Sequence, residues 1–183
     1  MEEIKLNNDV IEQIKDFHYY NLTEEQQLLI DKLILNEELK ERYRLYGLCK
    51  ECKQPNTGIA YYDDNNWCQP CNVKHFQQNF QNWTSGNHNI DEFIQKAQLK
   101  AKRYDEVIEW VEYDRFENVE YLAKGGFGIT YKAIWKDGFI LNWDSENNQW
   151  NRPGEHSVAL KYLHNSQDIT AEFLREVRSF FFK

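Results

Sequence analysis

The chain has 183 residues, and its 22 Lys and Arg against 30 Asp and Glu give a formal net charge of −8. This length accommodates one domain of about 100–150 residues together with a small additional module. The acidic balance disfavours nucleic-acid binding, because phosphate contacts require clustered Lys and Arg. No apolar run approaches the roughly 18–20 residues that span a bilayer, so we expect no membrane-spanning segment.

The start of the chain and its cysteine content indicate a cellular compartment. The first residues, Met1-Glu2-Glu3-Ile4-Lys5, are acidic and lack the apolar stretch of a secretory signal. We therefore expect a cytoplasmic protein. In a reducing compartment, four cysteines are expected to serve as metal ligands or free thiols rather than to form disulfides.

Residues 1–48 are predicted to form helices, because their apolar residues recur at helical spacing. Gln26 follows Thr23 at the spacing of a capping box, so a second helix is predicted to begin near Thr23. Gly47 ends this stretch. The predicted buried sides are Ile4, Val10, Ile11, Ile14 and Phe17 in the first helix, and Leu28, Leu29, Leu33, Ile34 and Leu39 in the second.

Residues 87–112 are predicted to be helical again, with Asn89 as the candidate cap. From Arg115 onward, short strands alternate with glycine turns, and a last helix is predicted from about Thr170. The predicted fold class is therefore α+β. Its predicted parts are a helical region (1–48), a four-cysteine module (49–86), linker helices (87–114) and a strand-rich domain (115–183).

The four cysteines form two Cys-x-x-Cys pairs, Cys49 with Cys52 and Cys68 with Cys71, and 15 residues separate the pairs. Two thiolates at i and i+3 on a tight turn can both reach one ion at about 2.3 Å, and two such turns complete a tetrahedron. The spacing predicts a structural zinc site in a small zinc ribbon. Four thiolates leave no open position for water, so this zinc would not be catalytic.

Three alternatives to this zinc site remain open. His75 lies close enough in sequence to replace one thiolate, and the four cysteines could instead be unconnected free thiols. A thioredoxin-like redox motif is the third alternative, but no βαβ pattern surrounds either pair.

A glycine turn lies between two strand-like runs in residues 121–133, which read Tyr-Leu-Ala-Lys-Gly-Gly-Phe-Gly-Ile-Thr-Tyr-Lys-Ala. Alone, such a turn predicts only a β-hairpin. Val158-Ala159-Leu160-Lys161 follows, and then a predicted helix that carries Glu176. This ordered set resembles the start of a protein-kinase domain, with its glycine-rich loop over the ATP phosphates, V-A-I-K strand and αC glutamate.

The resemblance implies a role for each matching position. Lys161 matches the lysine that holds the α- and β-phosphates, and Glu176 matches the αC glutamate that pairs with it, with Glu172 as the fallback. Ala stands at the first glycine position of the loop, and Thr stands where kinases have a valine over the adenine. The implied ATP-binding residues are Ala123, Gly125, Gly126, Phe127, Gly128, Thr130, Ala159 and Lys161.

Two features depart from an ordinary kinase domain. A long connection, about residues 136–156, precedes the lysine strand. We predict that this connection forms an extra hairpin with its turn at Asp144–Asn148, and that Trp143 packs on Trp150. The catalytic-loop string H-R-D and the metal-binding string D-F-G do not occur in the chain. The sequence stops after the αC helix, so we expect a truncated kinase domain that does not transfer phosphate by itself.

Longer strings are similar to a kinase-like family of symbiotic soil fungi in the tyrosine-kinase-like group. They are YGLCKEC at 46–52, WCQPCN at 67–72 and FQQNFQNWTSG at 76–86. This resemblance implies ATP and Mg as cofactors, beside the structural zinc that the cysteine spacing predicts, and it implies phosphorylation of Ser, Thr or Tyr in proteins. It also implies a partner protein or kinase C-lobe that covers the αC helix. The alternative is a zinc-binding adapter or decoy without catalysis.

Overall fold

The computed structural model describes residues 4–59, 66–125 and 128–163. These residues form a mixed α+β fold, as predicted, and no helix in these ranges is long and apolar enough to cross a membrane. The predicted loop residues Gly126 and Phe127, the predicted αC residues Glu172 and Glu176 and most of the turn before Asn66 lie outside the described residues.

The elements follow one another as helices first and strands last. The helices are α1 (Asn8–Ile14), α2 (Glu24–Leu33), α3 (Glu37–Tyr46), α4 (Gln69–Asn79) and α5 (His88–Gln98). The strands are β1 (Phe116–Gly125), β2 (Gly128–Trp135), β3 (Asn142–Asp144), β4 (Gln149–Asn151) and β5 (His156–Leu163).

The predicted second helix is in fact two helices, α2 and α3. The capping box at Thr23 and Gln26 is present as predicted. The helix stops at Ile34, which has extended backbone angles, and the Asn36 side chain accepts a hydrogen bond from the Leu39 amide to begin α3. Asn at the first position of a turn competes with the helical hydrogen bonds around it, which explains the break.

The N-terminal helices enclose one apolar core. Leu28 was predicted to be buried but is 70% exposed, whereas Ile30 is fully buried, because residues two apart lie on nearly opposite faces of a helix and the face with Ile30 meets the core. The Tyr43 hydroxyl donates a hydrogen bond to the Ile14 carbonyl at 3.0 Å, and burial raises the pKa of Tyr43 to about 12. The core consists of Leu6, Val10, Ile11, Ile14, Ile30, Ile34, Leu39 and Tyr43.

The helical prediction for residues 87–112 holds only for its first part. Asn87, rather than Asn89, caps α5, which ends at Gln98. Beyond it the chain is irregular apart from one 3-10 turn, because its carbonyl groups bind side chains of the cysteine module. The Leu99 carbonyl accepts from the Gln69 amide at 3.1 Å and the Ala101 carbonyl accepts from the Trp67 indole at 3.0 Å.

Three strands form an antiparallel sheet in the order β1-β2-β5. The strand predicted at 158–163 is present as the second part of β5. The connection between β2 and β5 contains the extra hairpin that was predicted, made of β3 and β4. The sheet is therefore continuous although its second and third strands are far apart in sequence.

The base of the inserted hairpin is closed by close backbone contacts. The Gly154 amide donates to the Asp137 carbonyl at 3.2 Å, and the Asp137 carboxylate forms an ion pair with Arg115, directly before β1. Gly138 has φ +68°, and a Cβ atom there would lie 2.5 Å from the Gly154 carbonyl oxygen. Only glycine fits this turn without displacing the opposite strand of the hairpin base.

We expect Gly138→Ala to destabilise the protein more than Gly154→Ala. Gly154 also has a positive φ, +80°, but a Cβ atom there would meet nothing within 4 Å. Gly154→Ala should therefore cost about 1–2 kcal/mol of unfolding free energy from backbone strain alone. Gly138→Ala should cost roughly a further 1–3 kcal/mol from the clash. Urea unfolding of both variants measures the difference, and equal costs would contradict the close contact.

Candidate metal centre and sheet face

The four cysteine sulfurs lie together, as the spacing of the two pairs predicts. All four Sγ atoms are within 4.8 Å of one another, with Cys49 3.9 Å from Cys71 and Cys52 3.6 Å from Cys68. A tetrahedron with metal–sulfur bonds of about 2.3 Å has sulfur–sulfur edges of about 3.8 Å. The arrangement therefore fits one tetrahedral ion with four thiolate ligands.

Two different local structures hold the two pairs. In the first, the Cys49 amide donates to the Gln54 carbonyl and the Lys53 amide donates back to the Cys49 carbonyl, with Lys53 in a left-handed conformation. In the second, Cys68 is the cap residue of α4 and Cys71 lies in its first turn, after Pro70. Proline suits this turn because the first amides of a helix have no partner within the helix.

The predicted ribbon is reduced to single bridges in the described part of the module. Leu48 pairs with Pro55, and Gly58 pairs with Trp67, but no strand is formed there. The described part of the module is thus a turn and a helix start joined by these bridges. The sequence cue is Pro70 directly before Cys71, which favours a helix start at the second pair.

Electrostatics within the cluster favour a cation. A hydrogen bond from Cys49 is the largest effect that lowers the pKa of Cys52, whereas the contact with Cys49 raises the pKa of Cys68. Four neighbouring thiols cannot all ionise without a positive charge to share, because each new thiolate repels those already formed. A divalent ion removes this conflict, so the donor set suits zinc and the predicted structural role.

His75 is not a member of the sulfur cluster, so the alternative in which it replaces a thiolate receives no support among the described residues. Its Nε2 atom lies 2.8 Å from a carboxylate oxygen of Glu51, between the first two cysteines. Its ring stacks on Trp143 of β3 with centroids 3.9 Å apart and an interplanar angle of 11°. His75 therefore connects the first cysteine pair to the inserted hairpin.

The inserted hairpin packs against the cysteine module through an aromatic joint, which we define as Trp67, Phe76, Trp143 and Trp150. Trp143 and Trp150 pack on each other as predicted, with centroids 5.0 Å apart. Trp150 also stacks on Phe76 at 4.5 Å and on Trp67 at 6.2 Å. Trp67 is fully buried directly before Cys68. The sequence predicted the contact within the hairpin, but gave no signal for the contact between hairpin and module.

A partly buried ion pair between Glu109 and Arg152 strengthens the same junction. The Ile140 amide donates to the Glu109 carboxylate at 3.2 Å, and Arg152 donates to the Gly138 carbonyl at 2.6 Å. Burial raises the pKa of Glu109 although Arg152 and the amide oppose the rise. The segment after α5 is thereby fixed to the base of the hairpin. Sequence analysis missed this pair, since 43 residues separate its members.

Four predicted nucleotide-binding residues share one face of the sheet. Thr130 lies opposite Ala123 on one side and opposite Lys161 on the other, and Ala159 is two residues before Lys161 on β5. Directly opposite residues of antiparallel strands point to the same side, as do residues two apart along a strand. Gly125 pairs with Gly128 at the end of the same hairpin.

This sheet face is open to solvent in the described structure. Ala123, Ala159 and Lys161 are exposed, and Thr130 is half-buried. The two cavities that we describe lie instead beside the first cysteine pair, one against the inserted hairpin and one against α1. The face thus presents the residues that the kinase resemblance implies, without a formed nucleotide cavity among the described residues.

We expect the protein to bind one zinc ion per chain through its four cysteines. Cys68→Ser should weaken and shift the thiolate-to-cobalt absorption of the cobalt-loaded protein, because only three thiolates remain, and should lower the melting temperature by about 10 °C or more. His75→Ala should keep the absorption, because His75 contacts Glu51 rather than the cluster. Lowering the pH should release the metal, because thiolates must be deprotonated to bind. Loss of the cobalt spectrum in His75→Ala would contradict the four-sulfur site.

The ion pair of the junction predicts a rescue experiment. Arg152→Met should lower the unfolding free energy by about 1–3 kcal/mol at neutral pH, because it leaves the partly buried carboxyl group of Glu109 without its partner charge. Adding Glu109→Gln should recover at least about 1 kcal/mol. A raised pKa for Glu109 means that the carboxyl binds a proton as the pH falls, so the cost of Arg152→Met should shrink toward acidic pH. If Arg152→Met lowers the unfolding free energy by the same amount at every pH, Arg152 does not stabilise the charged form of Glu109.

Comparison with known proteins identifies no family for this chain. The chain matches no protein-family model, no curated protein and no solved structure. The resemblance to protein kinases stays a prediction from the sequence, and the metal centre and the sheet face are defined by their own geometry.

Proposed function

We propose that the chain is a member of the tyrosine-kinase-like protein kinases, with a nucleotide-binding sheet that a zinc module supports from one side. The observation that carries the proposal is the shared face of Ala123, Thr130, Ala159 and Lys161. The resemblance was drawn from sequence order alone. The order of motifs along the chain does not require these four residues to lie on one face of the sheet. One bound nucleotide could contact all four only if they share a face.

The strand order gives further support. A glycine hairpin between β1 and β2, with the lysine strand paired to β2, brings the glycines and Lys161 to one sheet. The register pairs Gly128 with Leu163 and Thr130 with Lys161, so the lysine lies two residues from the glycine turn. A lysine at this distance suits a phosphate group held by the backbone amides of the turn.

Each residue has a distinct role in this proposal. Lys161 would hold the α- and β-phosphates as a charge-assisted donor, and Ala159 and Thr130 would contact the adenine. Ala123 adds a methyl group where kinases have the first glycine of the loop. ATP with Mg would supply the phosphoryl group when bound. The chain contains neither H-R-D nor D-F-G, so the property to test is nucleotide binding rather than turnover.

In the same proposal, the zinc module restrains the position of the strand that carries Lys161. The hairpin inserted between β2 and β5 is held by the aromatic joint and by the Glu109–Arg152 pair. The lysine strand starts at His156, directly after this hairpin. A metal that fixes the module would therefore limit motion of the hairpin and of the strand that carries Lys161.

A second candidate function is a zinc-binding adapter without catalysis. The four-sulfur cluster and the open sheet face favour it, because a metal-stabilised scaffold with an exposed surface needs no nucleotide. The two candidates differ in one property, which is the affinity of the zinc-loaded chain for Mg-nucleotide.

The test is titration of the zinc-loaded full chain with a fluorescent ATP analogue in the presence of Mg. We expect saturable binding that Lys161→Ala weakens about tenfold to a hundredfold, since a charge-assisted hydrogen bond contributes about 1.5–3 kcal/mol. Lys132→Ala is the matched control, because Lys132 lies opposite Ala159 on the same face. It should leave the affinity within about twofold, as a solvent-exposed charge has a small effect.

Two results would count against the kinase proposal. An absence of saturable binding to the zinc-loaded chain would favour the adapter. If Lys161→Ala and Lys132→Ala lower the affinity for the ATP analogue equally, the nucleotide is attracted to the positive surface in general and not bound by Lys161 specifically. Circular dichroism of both variants checks that the fold is unchanged.

A further inference from the structure

We propose that the protein binds an extended, basic peptide segment of another protein in a cleft between the first cysteine pair and the inserted hairpin. The cleft has a volume of about 450 Å³, within the range of about 300–1,000 Å³ that is usual for ligand sites. This site is separate from the sheet face of the proposed kinase function. One wall belongs to the cysteine module and includes Cys49, Cys68 and Cys71 of the sulfur cluster, and the other wall belongs to the hairpin. We call it the amide cleft.

One buried side-chain oxygen without a hydrogen-bond partner in the described part of the chain lies in the module wall. Asn56 is 2% exposed, and its Nδ2 atom donates to the Tyr46 carbonyl at 2.9 Å. Its Oδ1 atom, however, has no hydrogen-bond partner among the described residues. A buried acceptor without a partner costs about 1–3 kcal/mol, so its presence beside a cleft indicates a missing donor. Asn72, at 5% exposed, also lines the cleft.

An unpaired strand edge borders the opposite side of the cleft. All three residues of β3 line the cleft, but only the last residue of β4, Asn151, does so. Among the described strands, β3 pairs with β4 alone, so the backbone groups of its other edge are not bonded to another described strand. An extended peptide can add to such an edge through main-chain hydrogen bonds, as in β-strand addition.

These two walls fit a peptide backbone better than other small ligands. A backbone alternates N–H donors with C=O acceptors, which matches the strand edge on one side and the side-chain amides of Asn56 and Asn72 on the other. The strand is short, so it would hold only a few residues of the partner. Side chains of that segment would then reach the charged rim of the cleft.

The rim selects for positive charge. Glu51, Asp144 and Glu146 line the cleft together with one cation, Lys50. Hydrogen bonds from Asn147 hold the pKa of Asp144 below its usual range, so this carboxylate is ionised at neutral pH. The excess of carboxylates attracts Lys or Arg side chains and repels acidic ones. A basic segment is therefore the occupant that the cleft fits.

The experiment measures peptide binding to the zinc-loaded full chain by fluorescence anisotropy and by NMR of side-chain amide groups. The probe is a labelled pentapeptide that alternates Lys and Thr, and the comparison probe alternates Glu and Thr. We expect the basic peptide to bind at least about tenfold more tightly. Its addition should shift the side-chain amide signals of Asn56 and Asn72, because these groups gain hydrogen-bond partners.

Two surface variants form a matched pair. Glu146→Lys reverses a charge on the rim, whereas Glu155→Lys reverses an exposed charge near the base of the hairpin, outside the cleft lining. Glu146→Lys should weaken binding of the basic peptide about fivefold to tenfold, and Glu155→Lys should change it less than about twofold. Neither side chain is buried, so both variants should remain folded.

Each of several outcomes would overturn the proposal. These are equal affinity for the two peptides, equal effects of the two variants, or peptide binding without a shift of the Asn56 and Asn72 signals. A third probe, uridine, distinguishes a nucleobase site. If uridine shifts the same amide signals at lower concentration than the basic peptide, the cleft recognises a base and the peptide proposal is wrong.

Discussion

The burial of Trp67 is the constraint on which the other contacts of this structure depend. Its backbone pairs with Gly58 on the far side of the first cysteine turn, and its indole donates to the Ala101 carbonyl beyond α5. Its ring stacks on Trp150 of the inserted hairpin. One side chain thus connects the cysteine module, the linker and the sheet insertion. Since it directly precedes Cys68, the position of the second cysteine pair is fixed by the same packing that fixes the hairpin.

The cysteine cluster and the hairpin could be predicted from the sequence because both depend on residues that are close together in the chain. The two Cys-x-x-Cys turns, the Thr23 cap and the turn after Asp144 are local patterns of this kind. The helix break at Asn36 was missed because a continuous apolar pattern does not show where a side chain replaces a helical hydrogen bond. The Glu109–Arg152 pair and the stacking of Trp150 on Phe76 join distant segments, for which spacing carries no information.

The structure separates two kinds of site that the sequence presented as parts of one enzyme. The four sulfurs form a closed and largely buried group, which suits an ion that holds the chain together. The sheet face around Lys161 is exposed among the described residues, which would suit the exchangeable ligand that we propose for it. The inserted hairpin lies between them and contacts the module with rings rather than with charges. Any influence of one site on the other would therefore depend on the packing of these rings. Displacing a ring would leave a cavity, which lowers the free energy of unfolding.

The closed base of the insertion has a consequence for how the sheet forms. Residues 136–155 separate β2 from β5 in sequence, but Asp137 and Gly154 are hydrogen-bonded to each other, so the ends of the insertion are already adjacent. The free-energy cost of closing a loop rises only with the logarithm of the loop length, by about 0.6 kcal/mol for each doubling. Once the base is formed, β5 can pair with β2 as though a short turn joined them. The length of the hairpin can then vary without changing the register that brings Lys161 opposite Thr130.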